Sequence, residues 1–208
     1  MIRTILATTV AAAGLFTAAS MSQAASGDHV DADCNLTIPR DDMTNADAHA
    51  VYLCMADKLS VGYMTGDKRW IPREFVEGYR TWTPASTLPA DPGFHGERFL
   101  FTYVNETGAE EYTKFADEDV DMPVGSVIAK ESFSIDDNGK AKPGPLFIMQ
   151  KAAEGASPRT GDWYYMAVAP SGAPMGVNVY TACNECHQAY EDSDYMAYPE
   201  EDVRRTGG

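Results

Sequence analysis

The stretch VGSVIAKESFSI, residues 124–135, is followed at once by DDNGK, residues 136–140. Ser126, Ile128, Lys130 and Ser132 fall on one face of an extended chain, and Val127, Ala129, Glu131 and Phe133 on the other. Asn138-Gly139 supplies a hairpin turn, with both residues expected at positive φ. GPLFIMQKA, residues 144–152, reads as the return strand. An antiparallel pair at the centre of the chain therefore decides the fold class.

Working outward, RFLFTYV (98–104) is dense in aromatic and β-branched residues and predicts another strand. DWYYMAVAP and PMGVNVY, split by Ser171-Gly172-Ala173, predict a second hairpin. ETGAEEYTKFAD (106–117) reads as an acidic helix. Towards the N-terminus, Ala48, Val51, Tyr52, Met55 and Leu59 recur at helical spacing. Thr44 with Asp47 caps that helix and Gly66 ends it. A second short helix is expected at REFVEGYRTW, and STLPADPGFHG is loop. The expected class is α+β: an antiparallel sheet, helices before it, and a short helix at the C-terminus.

The first 24 residues carry one charge, Arg3, then an apolar run and Ser22-Gln23-Ala24. This is the pattern of a secretory signal peptide, 1–24, and export to the periplasm is the expectation. The run is too short and interrupted to predict a membrane span. The formal net charge is −15, and loss of Arg3 with the signal makes it −16. So acidic a chain excludes electrostatic binding to nucleic acid and would attract a basic soluble partner.

Four cysteines remain. Cys34 and Cys54, in an exported chain, are expected to form a disulfide that pins the N-terminal segment to the first helix. The other two stand in TACNECHQAY as Cys183, Cys186 and His187. A disulfide, a redox CxxC pair and a zinc site are the rival readings. The redox pair lacks a βαβ context, and zinc would want two more nearby ligands. The histidine directly after Cys186 favours one covalent c-type haem, with the thiols on its vinyl groups and His187 as iron ligand. No sixth ligand is marked. Met149 and Met166 read as core residues, and His95, in HGER, lies in a loop that could reach the iron. An open iron site is the expectation.

The ordered set HGER-FLFTYVN, MPVGSVIAKESF, GPLFIMQK, GDWYY and CNECH resembles the cytochrome P-460 family, over about Phe75 to Tyr198. That family includes hydroxylamine-oxidising cytochromes and the nitric-oxide-binding beta-type cytochromes c-prime. The resemblance implies a haem domain over 75–208 behind an N-terminal helical extension, 25–74. It implies that Lys130 faces the haem and is crosslinked to a meso carbon. It places Arg98 near the distal pocket, to hold a propionate or a bound nitrogen compound. It sets Gln150 where hydroxylamine-oxidising members carry a proton-relaying glutamate, and glutamine cannot take up a proton. Hydroxylamine or nitric oxide oxidation at an open iron is the function implied. Nitric oxide binding without turnover, or a six-coordinate electron carrier, is the alternative. Electrons would pass to a soluble partner such as a basic cytochrome, and the sequence leaves a homodimer open.

Overall fold

The computed structural model describes residues 27–68, 70–93, 95–177 and 180–205. The signal-peptide reading of 1–24 lies outside them. Helix α1 spans Asn45–Met64, and Thr44 and Asp47 form the expected capping box at its start. Helix α2 spans Arg73–Glu77 and runs into one 3-10 turn, Tyr79–Thr81. The strands are β1 (Thr83–Pro84), β2 (Phe99–Val104), β3 (Val127–Ile135), β4 (Ala141–Pro143), β5 (Leu146–Lys151), β6 (Trp163–Val168) and β7 (Pro174–Val177), with helix α3 (Glu106–Tyr112) between β2 and β3. The sheet order is β1-β2-β3-β5-β6-β7, with β4 paired to the end of β3, and every pairing is antiparallel. The class is α+β. Among the described residues no helix is long and apolar enough to cross a membrane.

Four local expectations need correction. The central strand begins at Val127, because Pro123 to Ser126 close a turn through Ser126 N–H to the Pro123 carbonyl. The acidic helix stops at Tyr112, short of Asp117. In the hairpin only Gly139 takes positive φ, +77°, and Asn138 does not. Gly139 N–H bonds the Asp136 carbonyl, the mark of a type I turn followed by a left-handed residue. The return strand is broken at Gly144-Pro145. Phe133 pairs with Pro143 but Lys130 pairs with Phe147, so one extra residue is inserted there as a bulge.

Alternation sorts the sheet into two faces. Phe99, Phe101, Tyr103, Val127, Ala129, Phe133, Leu146 and Ile148 pack with Val51, Tyr52, Met55, Leu59 and Tyr63 of α1 in one core. Removing such side chains from water favours folding by roughly 2 kcal/mol each, before chain entropy is charged. The disulfide Cys34–Cys54 ties the segment before α1 to the helix as expected. The opposite face carries Val104, Ile128, Met149, Trp163 and Tyr165, packed against Met122, Met196 and the C-terminal segment. The α1 side is filled with side chains. The other side is not, and the functional site lies there.

Candidate haem site

Lys130 is on the incompletely filled face. Its register partners are Thr102 on β2 and Phe147 on β5, so all three side chains emerge together. Lys130 is only 7% exposed, and its Nζ donates to the Ala197 carbonyl at 3.1 Å. Burial pushes its ammonium down to about 8, opposed by Glu200. A solvated surface lysine would show neither feature.

Across from the sheet runs the C-terminal helical segment. A π turn over Tyr180–Asn184 leads into α4 (Glu185–His187) and a 3-10 stretch, Gln188–Ser193. Asn184, 1% exposed, fixes the start. It accepts from the Tyr165 hydroxyl at 3.2 Å and donates to the Arg159 carbonyl at 3.2 Å. Cys183 and Cys186 are both free thiols, so the CxxC disulfide is not formed. Among the described residues no three His, Cys, Asp or Glu side chains converge on a metal-ion cage.

His187 is buried and oriented. Its Nδ1 lies 2.8 Å from the Tyr195 carbonyl, an acceptor only, so Nδ1 carries the proton. The lone pair is then on Nε2, the arrangement a metal-binding imidazole uses. Burial first, then the Lys130 charge, push His187 down to about 4, so the ring is neutral near pH 7. The turn that offers the carbonyl is itself held. Asp194 and Tyr195 both adopt positive φ, and the Asp194 carboxylate takes hydrogen bonds from Lys151 Nζ at 2.6 and 2.9 Å, from Met122 N at 2.9 Å and from Trp163 Nε1 at 3.2 Å.

Between sheet and helical segment lies a cavity of about 500 Å³, within the range of cofactor pockets. Cys183, Cys186, His187 and Lys130 all line it, as do Met149, Phe147 and Tyr165. Two free thiols three positions apart, a lone-pair nitrogen next in sequence and a largely apolar wall fit a covalently attached haem.

The other sequence-predicted residues divide. Arg98 lines the cavity, but its Nη1 donates to the carbonyls of His95 at 2.8 Å and Gly96 at 3.2 Å. Gln150 is not among the cavity residues. It pairs with Val127 and Tyr164, which puts it on the α1 side of the sheet, while Met149 takes the cavity side. His95 lines the cavity too, its ring 4.8 Å from that of Phe147 and 6.3 Å from that of His187, centroid to centroid. Burial, then Lys130, His187 and Arg98, push His95 down to about 3.

Sequence reasoning missed Glu131. It is fully buried on the α1 side, paired to Arg80 at 2.6 Å, and it accepts from the Tyr52 hydroxyl at 2.5 Å and from the Tyr79 hydroxyl. A charged residue at a core-facing position of a strand was the available signal.

Residues 76–197, more than half of the chain, match the family Cytochrome P460, and the chain belongs to that family. It is a c-type haem protein by that membership. A search of curated proteins gives no match.

Proposed function

We propose that the protein is an exported, periplasmic cytochrome with one haem, held through Cys183 and Cys186, that binds a small nitrogen compound, nitric oxide ahead of hydroxylamine. One observation carries the reading: both thiols, the lone-pair nitrogen of His187 and the buried amine of Lys130 open onto one apolar cavity. The haem supplies an iron that binds the ligand and exchanges electrons with it. The residues do the rest. His187 is held by the Tyr195 carbonyl with Nε2 free to bind the iron. Ile128, Phe147 and Met149 exclude water from the cavity. Arg98 holds the loop over the cavity through Nη1, and its Nε and Nη2 make no hydrogen bond to a described residue, which keeps them available to a propionate or a ligand.

Lys130 is the residue for a further bond to a haem meso carbon. Such a bond would replace a C–H and an N–H by C–N with loss of two protons and two electrons, which an external oxidant of the peroxide class would have to accept. Its amine is held near neutrality by burial, which favours the nucleophilic form.

Nitric oxide stands ahead of hydroxylamine because oxidation of hydroxylamine also needs a proton acceptor at the ligand. Gln150, at the position where the family's relay glutamate is expected, is neither a base nor in the cavity, so Asp91, Glu200 or His95 in the cavity wall would have to take that role. Anaerobic titration of the haem-loaded protein with nitric oxide, and turnover with hydroxylamine plus an artificial oxidant, test the reading. Tight nitric oxide binding without hydroxylamine turnover is expected. Rapid hydroxylamine turnover would restore the oxidase reading, and failure to bind either would remove both.

A further inference from the structure

The HGER stretch, residues 95–98, closes on itself. Gly96 sits at φ +73°, and a Cβ there would lie 2.3 Å from Arg98 Nη1. The absence of that carbon lets the guanidinium fold back onto the carbonyls of His95 and Gly96. Glu97 N–H bonds the Gly93 carbonyl at 3.2 Å, which shuts the loop from its other side. The bonds that hold the loop are backbone and Arg98 bonds. The His95 ring makes no hydrogen bond to any described residue, yet it lines the cavity and rests on Phe147. The half-buried imidazole has no hydrogen-bond partner among the described residues, and its place in the cavity wall calls for an explanation.

The distance to His187 supplies one. Two imidazoles that share one metal, each with a metal–nitrogen bond of about 2.0 Å and a ring centre roughly 1.1 Å behind the nitrogen, have ring centres about 6.2 Å apart. The observed separation is 6.3 Å, with the ring planes inclined at 65°. The inclination is no obstacle, since rotation of a ring about the metal–nitrogen axis leaves its lone pair on the metal. We propose that His95 is the second axial ligand of the haem iron in the resting protein, opposite His187.

This rests on the haem reading above and replaces the expected open iron by a closed one. A small ligand then enters only by displacing His95, and the loop fastened by Arg98 sets how often that happens. Arg98 is the positioning residue.

The test uses full-length mature protein loaded with haem in a host that attaches it. Electron paramagnetic resonance and magnetic circular dichroism of the ferric form should show a low-spin bis-imidazole centre. His95→Ala should convert it to high spin, and added imidazole should restore the low-spin signal. Should His95→Ala not load haem, His95→Met gives the same decision through a His/Met signature. Arg98→Ala should give a mixture of spin states. Stopped-flow mixing of the reduced protein with nitric oxide should give a rate that saturates in wild type and rises linearly with concentration, at least tenfold faster, in His95→Ala. High-spin ferric wild type overturns the assignment, and so does a low-spin signal that survives His95→Ala. High-spin wild type that takes nitric oxide overturns this inference alone. Low-spin wild type that loses the signal in His95→Ala, with neither protein taking nitric oxide, leaves His95 in place and removes the proposed function.

Discussion

Lys130 and Glu131 are neighbours on β3 and stand back to back: the amine opens into the haem-side cavity, and the carboxylate is sealed among Tyr52, Tyr79 and Arg80 on the α1 side. The strand cannot shift on one face without disturbing the other. Burial, then the Glu131 charge, push the Tyr52 and Tyr79 hydroxyls far above the ordinary tyrosine range, so both stay protonated donors. The cluster joins α1 and the turn after α2 to the strand that carries Lys130.

Glu131→Ala leaves Arg80 without its carboxylate and the buried Tyr79 hydroxyl without an acceptor, while Tyr52 keeps the Tyr103 hydroxyl. Loss of one member of a buried charged cluster costs about 3–5 kcal/mol. Urea denaturation of the haem-loaded protein should register a loss of that size. A loss under 1 kcal/mol would mean the cluster contributes little to holding α1 on the sheet.

While its amine is not bonded to haem, Lys130 makes stability depend on alkaline pH. Its folded value, about 8, lies below the unfolded one, about 10.4, so the unfolded chain binds more protons between them. For a free Lys130, stability is therefore lowest below pH 8 and rises as pH climbs towards 10, by on the order of 3 kcal/mol. Lys130→Met should abolish that rise and be more stable at pH 7. Equal urea midpoints for the two proteins at pH 7 and at pH 9.5 would count against a buried free amine. Wild type in which Lys130 is bonded to haem should lack the rise too.

Asp194 acts on His187 through the Tyr195 carbonyl. Asp194→Asn breaks the nearly buried pair with Lys151, 2.6 Å long, and loosens the turn. About 3 kcal/mol of stability should be lost. A weaker hydrogen bond at Nδ1 makes His187 a poorer electron donor, so the reduction potential should rise. Spectroelectrochemistry would contradict this with an unchanged potential.

The Cys34–Cys54 bridge closes a loop of 20 residues' separation. On the chain-entropy model its removal costs about 3 kcal/mol. Cys34→Ser with Cys54→Ser should lower the thermal midpoint and leave the haem spectrum unchanged, since the bridge lies on the α1 side. A changed spectrum would show coupling between the two faces.

The strands were legible in the sequence because period-2 alternation and turn residues are local signals. The α1 cap was legible for the same reason, in Thr44 and Asp47. The bulge at Gly144-Pro145 was not, since it depends on how β4 and β5 both register on β3. That bulge leaves Met149, not Gln150, facing the cavity, which motif alignment alone did not reveal. Lys130 and CNECH lie far apart in the chain, and only the sheet's crossing order brings them to one cavity. Lys130 was therefore reached by resemblance. His95 could be named from sequence as a loop histidine, but its approach to His187 is a tertiary fact.

The central claim is that Cys183, Cys186 and His187 face Lys130 across one haem. A tryptic mass map of protein made in a host with the haem-attachment machinery tests it most directly. The account predicts haem on the peptide containing Cys183 and Cys186, stable to acid acetone, and that same peptide joined through haem to the one containing Lys130. Free, unmodified thiols at Cys183 and Cys186 in such a preparation would contradict it.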